Sequence, residues 1–203
     1  HERSLNADLG LAFCLEIASI LRDDLKILVM SATLEISAVS ELMQDAPIVS
    51  CKGKIFPVTP QWQARPVAQD QIVSKLITDV ILQAINENKG SLLVFLPGEA
   101  EIIKLASTLK NKVPDNCHVF PLYGRLEFKD QQKAIKPILE GRKIVLATNV
   151  AETSLTIEGI ETVIDSGLSK RSIYDANSGM ARLVTQKISK AEARQRMGRA
   201  GRL

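Results

Sequence analysis

Short aliphatic runs alternate along this chain with longer segments whose apolar residues recur three and four positions apart, and that alternation restricts the fold more than anything else in the sequence. The runs at residues 26–30, 48–51, 92–96, 118–121, 143–148 and 162–165 are rich in Ile, Leu and Val and almost continuous. Such runs are the pattern of strands covered by helices on both faces. Between them, residues 9–21, 36–43, 71–85, 99–109 and 131–139 keep a helical period. Strands separated by helices predict an α/β fold around a largely parallel sheet, because parallel neighbours need a long crossover and a helix supplies it.

Two places break the rhythm. Residues 51–70 hold Gly53, Pro57, Pro60 and Pro66 without helical period, which predicts a connection between two domains. Residues 168–174 and 180–186 flank the polar stretch Asp175-Ala176-Asn177-Ser178-Gly179, the pattern of an antiparallel β-hairpin. Just after it, Ser189 and Glu192 have capping-box spacing and predict a short helix carrying Arg194 and Arg196.

With 203 residues, 45% apolar and 24% charged, the chain is too apolar for disorder and long enough for one large domain or two smaller pieces. Only 4% is aromatic, so the core is expected to be aliphatic. No apolar stretch reaches the roughly 18–20 residues of a membrane span, and no signal-peptide pattern is present; the expectation is a soluble, cytoplasmic protein with no membrane partner. Cys14, Cys51 and Cys117 are odd in number and widely spaced, and read as reduced core residues. His118, alone in an apolar run, reads as structural, and no metal site is expected.

The net charge of +3 conceals a gradient. Residues 1–140 carry 15 basic and 17 acidic side chains, residues 141–203 carry 11 and 6. Arg182, Lys187, Lys190, Arg194, Arg196, Arg199 and Arg202 face a single acid, Glu192, over the last 23 residues. An anionic partner is the natural expectation.

Three polar clusters follow predicted strands, at the carboxyl edge where an open α/β sheet presents ligands. Ser31-Ala32-Thr33 suits phosphate-linked groups or a helix cap. Thr148-Asn149, followed by 151–156, can turn amides and hydroxyls toward a nucleic-acid backbone or simply form a solvated turn. In Gln195–Arg202, Arg199 and Arg202 stand three apart among glycines, a spacing that suits a phosphoryl clamp, with a solvated basic tail as the alternative.

These clusters, with His1-Glu2-Arg3, Gly53–Val58 and Leu93–Gly98, occur in the order found in DEAH-box ATP-dependent helicases of superfamily 2, which the chain resembles over nearly its whole length. Pro121-Leu122-Tyr123-Gly124 and Glu158 make it most like the bacterial HrpB-type branch. The resemblance implies RecA-like lobes: the tail of the first at residues 1–50, the connection and start of the second at 51–70, and the truncated second lobe with its β-hairpin at 71–203. His1 corresponds to the last letter of the Asp-Glu-x-His box. The phosphate-binding loop and most of the Mg2+ site are then expected in a preceding part of the first lobe.

By the same resemblance, Ser31 and Thr33 couple ATP hydrolysis to nucleic-acid movement. Gln195, Arg199 and Arg202 reach the γ-phosphate, Ser154 senses the nucleotide beside them, and Glu158 stands where many relatives place Asp against the ribose. Gly98, Thr148 and Asn149 hold RNA phosphates. Ile135 falls near the place where many relatives stack adenine on Phe. The implied function is an ATP-dependent helicase acting on RNA, single-stranded or duplex with an overhang, with DNA as a further substrate and protein cofactors unspecified. The isolated segment is expected to be inactive in hydrolysis. The competing reading is a non-catalytic nucleic-acid-binding or adaptor module using the basic end. A Gly-x-x-x-x-Gly-Lys-Ser/Thr loop roughly 100 residues before His1 in the full-length protein would favour the enzyme. Trp62 reads as a packing residue, whereas Tyr174 on the hairpin suits base stacking as well as it suits structure.

Overall fold

The computed structural model describes residues 5–30, 36–50, 56–63, 75–153 and 155–200. The chain divides into two compact units, residues 1–54 and 55–203.

In the first unit, helices α1 (Leu5–Ile20) and α2 (Ile36–Leu42) form where the period places them. Helix α1 buries none of its residues. Leu5, Leu9, Phe13, Ile17 and Ile20 form an exposed stripe along it, three or four positions apart. Residues 26–30 and 48–50 carry no strand, against expectation. A strand is completed by its neighbour's N–H and C=O groups, and the described residues of this unit include no ladder for these segments to join. Leu28, Met30, Ile48 and Val49 are exposed. Cys14 is exposed as well, which corrects its reading as a core residue; Cys51 lies outside the described residues.

The second unit runs α3 (Ile77–Glu87), β1 (Ser91–Phe95), α4 (Glu99–Leu109), β2 (Cys117–Leu122), α5 (Phe128–Ile135), β3 (Arg142–Ala147), α6 (Val150–Thr153) and β4 (Ile160–Asp165). The four strands are parallel in the order β2-β3-β1-β4. Strand alternation splits the aliphatic residues between two faces. Leu92, Val94, Ile144 and Leu146 pack with Ile81 of α3 and Ile102 of α4, while Leu93, Phe95, Val145 and Ala147 pack with Ala134 of α5 and Ala151 of α6. Each fully buried Leu or Ile contributes roughly 1.5–3 kcal/mol.

Arg142 and Lys143 open β3 and point to opposite faces. Arg142 donates to Ile85 O (Nη1, 2.8 Å) and Gly90 O (Nη2, 2.7 Å), closing the end of α3. Lys143 donates to Ala134 O and to Lys136 O (2.7 Å), closing the end of α5. Each cation meets the carbonyl end of the helix on its own face, where the helix dipole favours positive charge. Lys143 is buried, with its ammonium 5.4 Å from the centre of the Phe120 ring. Burial lowers its pKa to about 8, with the Glu158 charge working in the opposite direction. Gly141 makes the turn into β3 with φ +85°, and a Cβ there would come within 2.5 Å of Asn116 O. His118 is exposed on β2, outside the core that its apolar run suggests.

Helix α5 spans 128–135 rather than 131–139. Pro137 stops it, because a proline pushes the residue before it out of helical geometry, and Lys136 is extended (φ −64°, ψ 145°). The hairpin forms from β5 (Leu168–Asp175) and β6 (Met180–Lys187), in register from Leu168↔Lys187 to Asp175↔Met180. Gly179, at φ +67°, completes its turn. Helix α7 (Lys190–Met197) follows with the capping box intact: Glu192 N–H donates to Ser189 Oγ (3.1 Å) and Ser189 N–H to Glu192 Oε2 (2.7 Å). Arg171 of β5 donates to the other Glu192 oxygen at 2.6 Å and joins hairpin to helix. Burial works to raise the Glu192 carboxyl, but the Ser189 bonds and Arg171 outweigh it and hold it below the usual range.

Candidate functional site

Phe95 and Ala147 are register partners at the ends of β1 and β3, so the residues that follow them leave the same edge of the sheet. Gly98 is buried at the start of α4. Thr148 is half-buried and Asn149 exposed. The Thr148 N–H donates to Leu122 O (3.2 Å), while Thr148 O and Asn149 O accept from the amides of Ala151 (3.2 Å) and Glu152 (2.9 Å). The fold therefore brings Gly98, Thr148 and Asn149 to one edge. Lys170 of β5 and Glu101 of α4 form an ion pair above Gly98, with Nζ 2.9 Å from both carboxylate oxygens. A Cβ on Gly98 would sit 2.7 Å from that ammonium, so close approach, not backbone strain, keeps the position small.

Behind this edge α7 drives two arginines into the protein. Arg196 is 1% exposed and stacks on Phe95, 4.8 Å from the ring centre. It donates to Glu152 Oε2 (3.0 Å), Asp165 Oδ1 (2.9 Å) and Leu168 O (3.3 Å). Arg199, one turn on, is also buried and donates to Leu155 O (2.7 Å) and Glu152 O. Leu155, Thr156, Ile157 and Arg199 line a shallow cleft beside it. Gln195 is half-buried on the same helix, and Glu158 is exposed. Gly198 is helical (φ −63°), and a Cβ there would meet the Gln195 carbonyl at an ordinary 3.4 Å. His1, Ser31, Thr33, Ser154 and Arg202 lie outside the described residues.

The basic end is thus only partly a surface feature. Arg182, Lys187, Lys190 and Arg194 are exposed, whereas Arg196 and Arg199 are buried.

Residues 72–203 match the family described as "Helicase conserved C-terminal domain". The chain belongs to that family. It is 45% identical over 206 residues to the ATP-dependent RNA helicase HrpB of Escherichia coli K12, covering 100% of this chain and 25% of the relative. Against the ATP-dependent RNA helicase HrpA of the same organism it is 38% identical over 208 residues, covering 100% of this chain and 16% of the relative. The crystal structure of E. coli DExH-box NTPase HrpB matches at a TM-score of 0.85 and 43% identity, covering 100% of this chain and 25% of that one. The chain therefore spans a quarter or less of the length of these relatives.

Three features of this helicase C-terminal domain escape a reading of its sequence: the burial of Arg196, the Lys170–Glu101 pair and the buried ammonium of Lys143. Capping-box spacing gives the start of α7, but nothing local indicates that Glu152 and Asp165, 44 and 31 residues away, will receive Arg196. Among the described residues, no helix of the domain is long and apolar enough to cross a membrane.

Proposed function

We propose that this chain is part of an ATP-dependent RNA helicase, with residues 1–50 ending one RecA-like lobe, 51–70 connecting, and 71–203 forming most of the second. The observation that carries the reading is the emergence of Gly98 and Thr148-Asn149 from adjacent strands, with Arg199 bonded into the segment that follows. A main-chain and hydroxyl edge of this kind suits RNA phosphates and is indifferent to base sequence.

On the other side of that segment, the Arg199 guanidinium and the Gln195 amide are donors suited to phosphate oxygens. With Arg202 they would hold the γ-phosphate of ATP, with Ser154 beside it and Glu158 toward the ribose. ATP supplies the phosphoryl group whose transfer to water releases the free energy for movement. Among the described residues no three His, Cys, Asp or Glu side chains gather. The Mg2+ ligands are accordingly assigned to the Asp-Glu of the box that His1 would end. Ser31 and Thr33 would couple the two lobes, and the cytoplasm, with DNA as a second substrate, completes the reading.

ATP hydrolysis by the full-length protein, with and without single-stranded RNA, tests the reading. Turnover stimulated by RNA is expected, and negligible turnover from residues 1–203 alone. RNA binding without any ATP turnover in the full-length protein would transfer the chain to the adaptor class.

A further inference from the structure

Arg199 is fastened to a place that a group acting only on ATP has no need to touch. Its guanidinium donates to the carbonyls of Glu152 and Leu155, on either side of residues 153 and 154. These carbonyls close the turn leaving α6, and α6 begins directly after Asn149. The amides of Ala151 and Glu152 bond back to Thr148 O and Asn149 O. One short hydrogen-bonded path thus runs from the arginine to the Thr148-Asn149 edge. Arg196 holds the same segment by a different chemistry, an ion pair with Glu152 whose side chains are 1% and 0% exposed.

We propose that Arg199 is a positioning residue for the Thr148-Asn149 turn as well as a ligand for nucleotide: without nucleotide it clips the carbonyls of residues 152 and 155, and when the terminal phosphate arrives it moves to the phosphate and lets the turn relax. The inference rests on the helicase reading above. A phosphate oxygen is an ionised acceptor, and bonds to ionised acceptors are about twice as strong as those to neutral carbonyls. The exchange therefore runs toward the phosphate. Arg196, held by the carboxylates of Glu152 and Asp165, stays in place, so the segment shifts about a fixed point and does not come loose. The arrangement links the occupancy of one site to the affinity of the other through main-chain bonds only.

The test is the Kd of the full-length protein for a labelled single-stranded RNA, with and without a non-hydrolysable ATP analogue. In the wild type the analogue is expected to change that Kd by at least about fivefold, the lower end of ordinary coupling between sites. In Arg199→Ala the nucleotide-free Kd should already equal the wild type's analogue-bound value, and the analogue should change it by less than about twofold. Arg199→Lys keeps the cation but lacks the planar fork needed to span two carbonyls. It should show the same nucleotide-free shift while still binding the analogue, which separates the clip from a folding defect. A nucleotide-free Kd unchanged in both variants would overturn the proposal, since a group acting on ATP alone has nothing to touch in that state. So would a wild-type Kd indifferent to the analogue. If RNA-stimulated hydrolysis persists in the wild type under either outcome, the clip fails and the helicase reading stands; if hydrolysis is absent, the reading itself fails.

Discussion

Leu146 and Glu152 are only six residues apart, and neither is exposed to solvent, but opposite forces hold them. Leu146 sits in the aliphatic layer between the sheet and α3 and α4, where any side chain of suitable volume gains from leaving water. Glu152 sits behind the sheet's carboxyl edge, and only the guanidinium of Arg196 makes its burial tolerable. The first region is forgiving of exchange within its class. The second is unforgiving, because removing one charge strands the others. A protein can afford that arrangement where a segment must be held at a fixed point and no other, and residues 150–155 carry the proposed grip on RNA at one end and the Arg199 carbonyls at the other.

The sharpest way to break the comparison is Arg196→Ala. It leaves the buried Glu152 carboxylate and Asp165 without their cation and is expected to cost about 3–5 kcal/mol, against about 1 kcal/mol for Ile144→Val in the aliphatic layer. Urea unfolding of both variants gives the two numbers, and equal costs would mean that the ionic knot is no more demanding than the core. Lys143 tests the intermediate case, a buried charge answered mainly by helix carbonyls. Its pKa in the folded chain, about 8, lies below the ordinary 10.5, so between those values the unfolded chain binds the proton more tightly and stability should rise with pH, by at most roughly 3 kcal/mol. In Lys143→Met that rise should vanish from the pH series of unfolding midpoints; an unchanged slope would mean that the ammonium is not penalised by burial. The smallest effect belongs to a surface feature. Ser189→Ala removes one half of the α7 capping box and should cost about 1 kcal/mol, measurable as a lowered melting temperature with Arg196 still in its pocket.

What the sequence reveals follows the same division. Residues 99–109 have an unbroken helical period and form a helix over that very span. The strands at 91–95, 117–122, 142–147 and 160–165 fall within two residues of their aliphatic runs, because a buried strand writes its own composition. The runs at 26–30 and 48–51 have the same composition and no strand among their described residues, since a run of Ile, Leu and Val says nothing about whether a neighbouring ladder is there. In the site, Gly98, Thr148 and Asn149 are legible from their positions after strands. The burial of Arg196 and Arg199 is not, because their acceptors lie between 28 and 47 residues away and charge in a sequence looks like surface. Lys143 is hidden for a related reason: its acceptors belong to the end of α5, which Pro137 sets four residues earlier than the apolar period suggests.

The account depends most on the arginines after α7 acting on ATP in a motor driven by RNA. The direct measurement is RNA-stimulated ATP turnover of the full-length protein beside its Arg202→Ala variant, with RNA affinity recorded for both. Wild-type turnover that rises with RNA, and a variant kcat lower by about a hundredfold or more at nearly unchanged RNA affinity, is the expected result. A variant that hydrolyses ATP at the wild-type rate, or one that loses RNA binding alone, would contradict it.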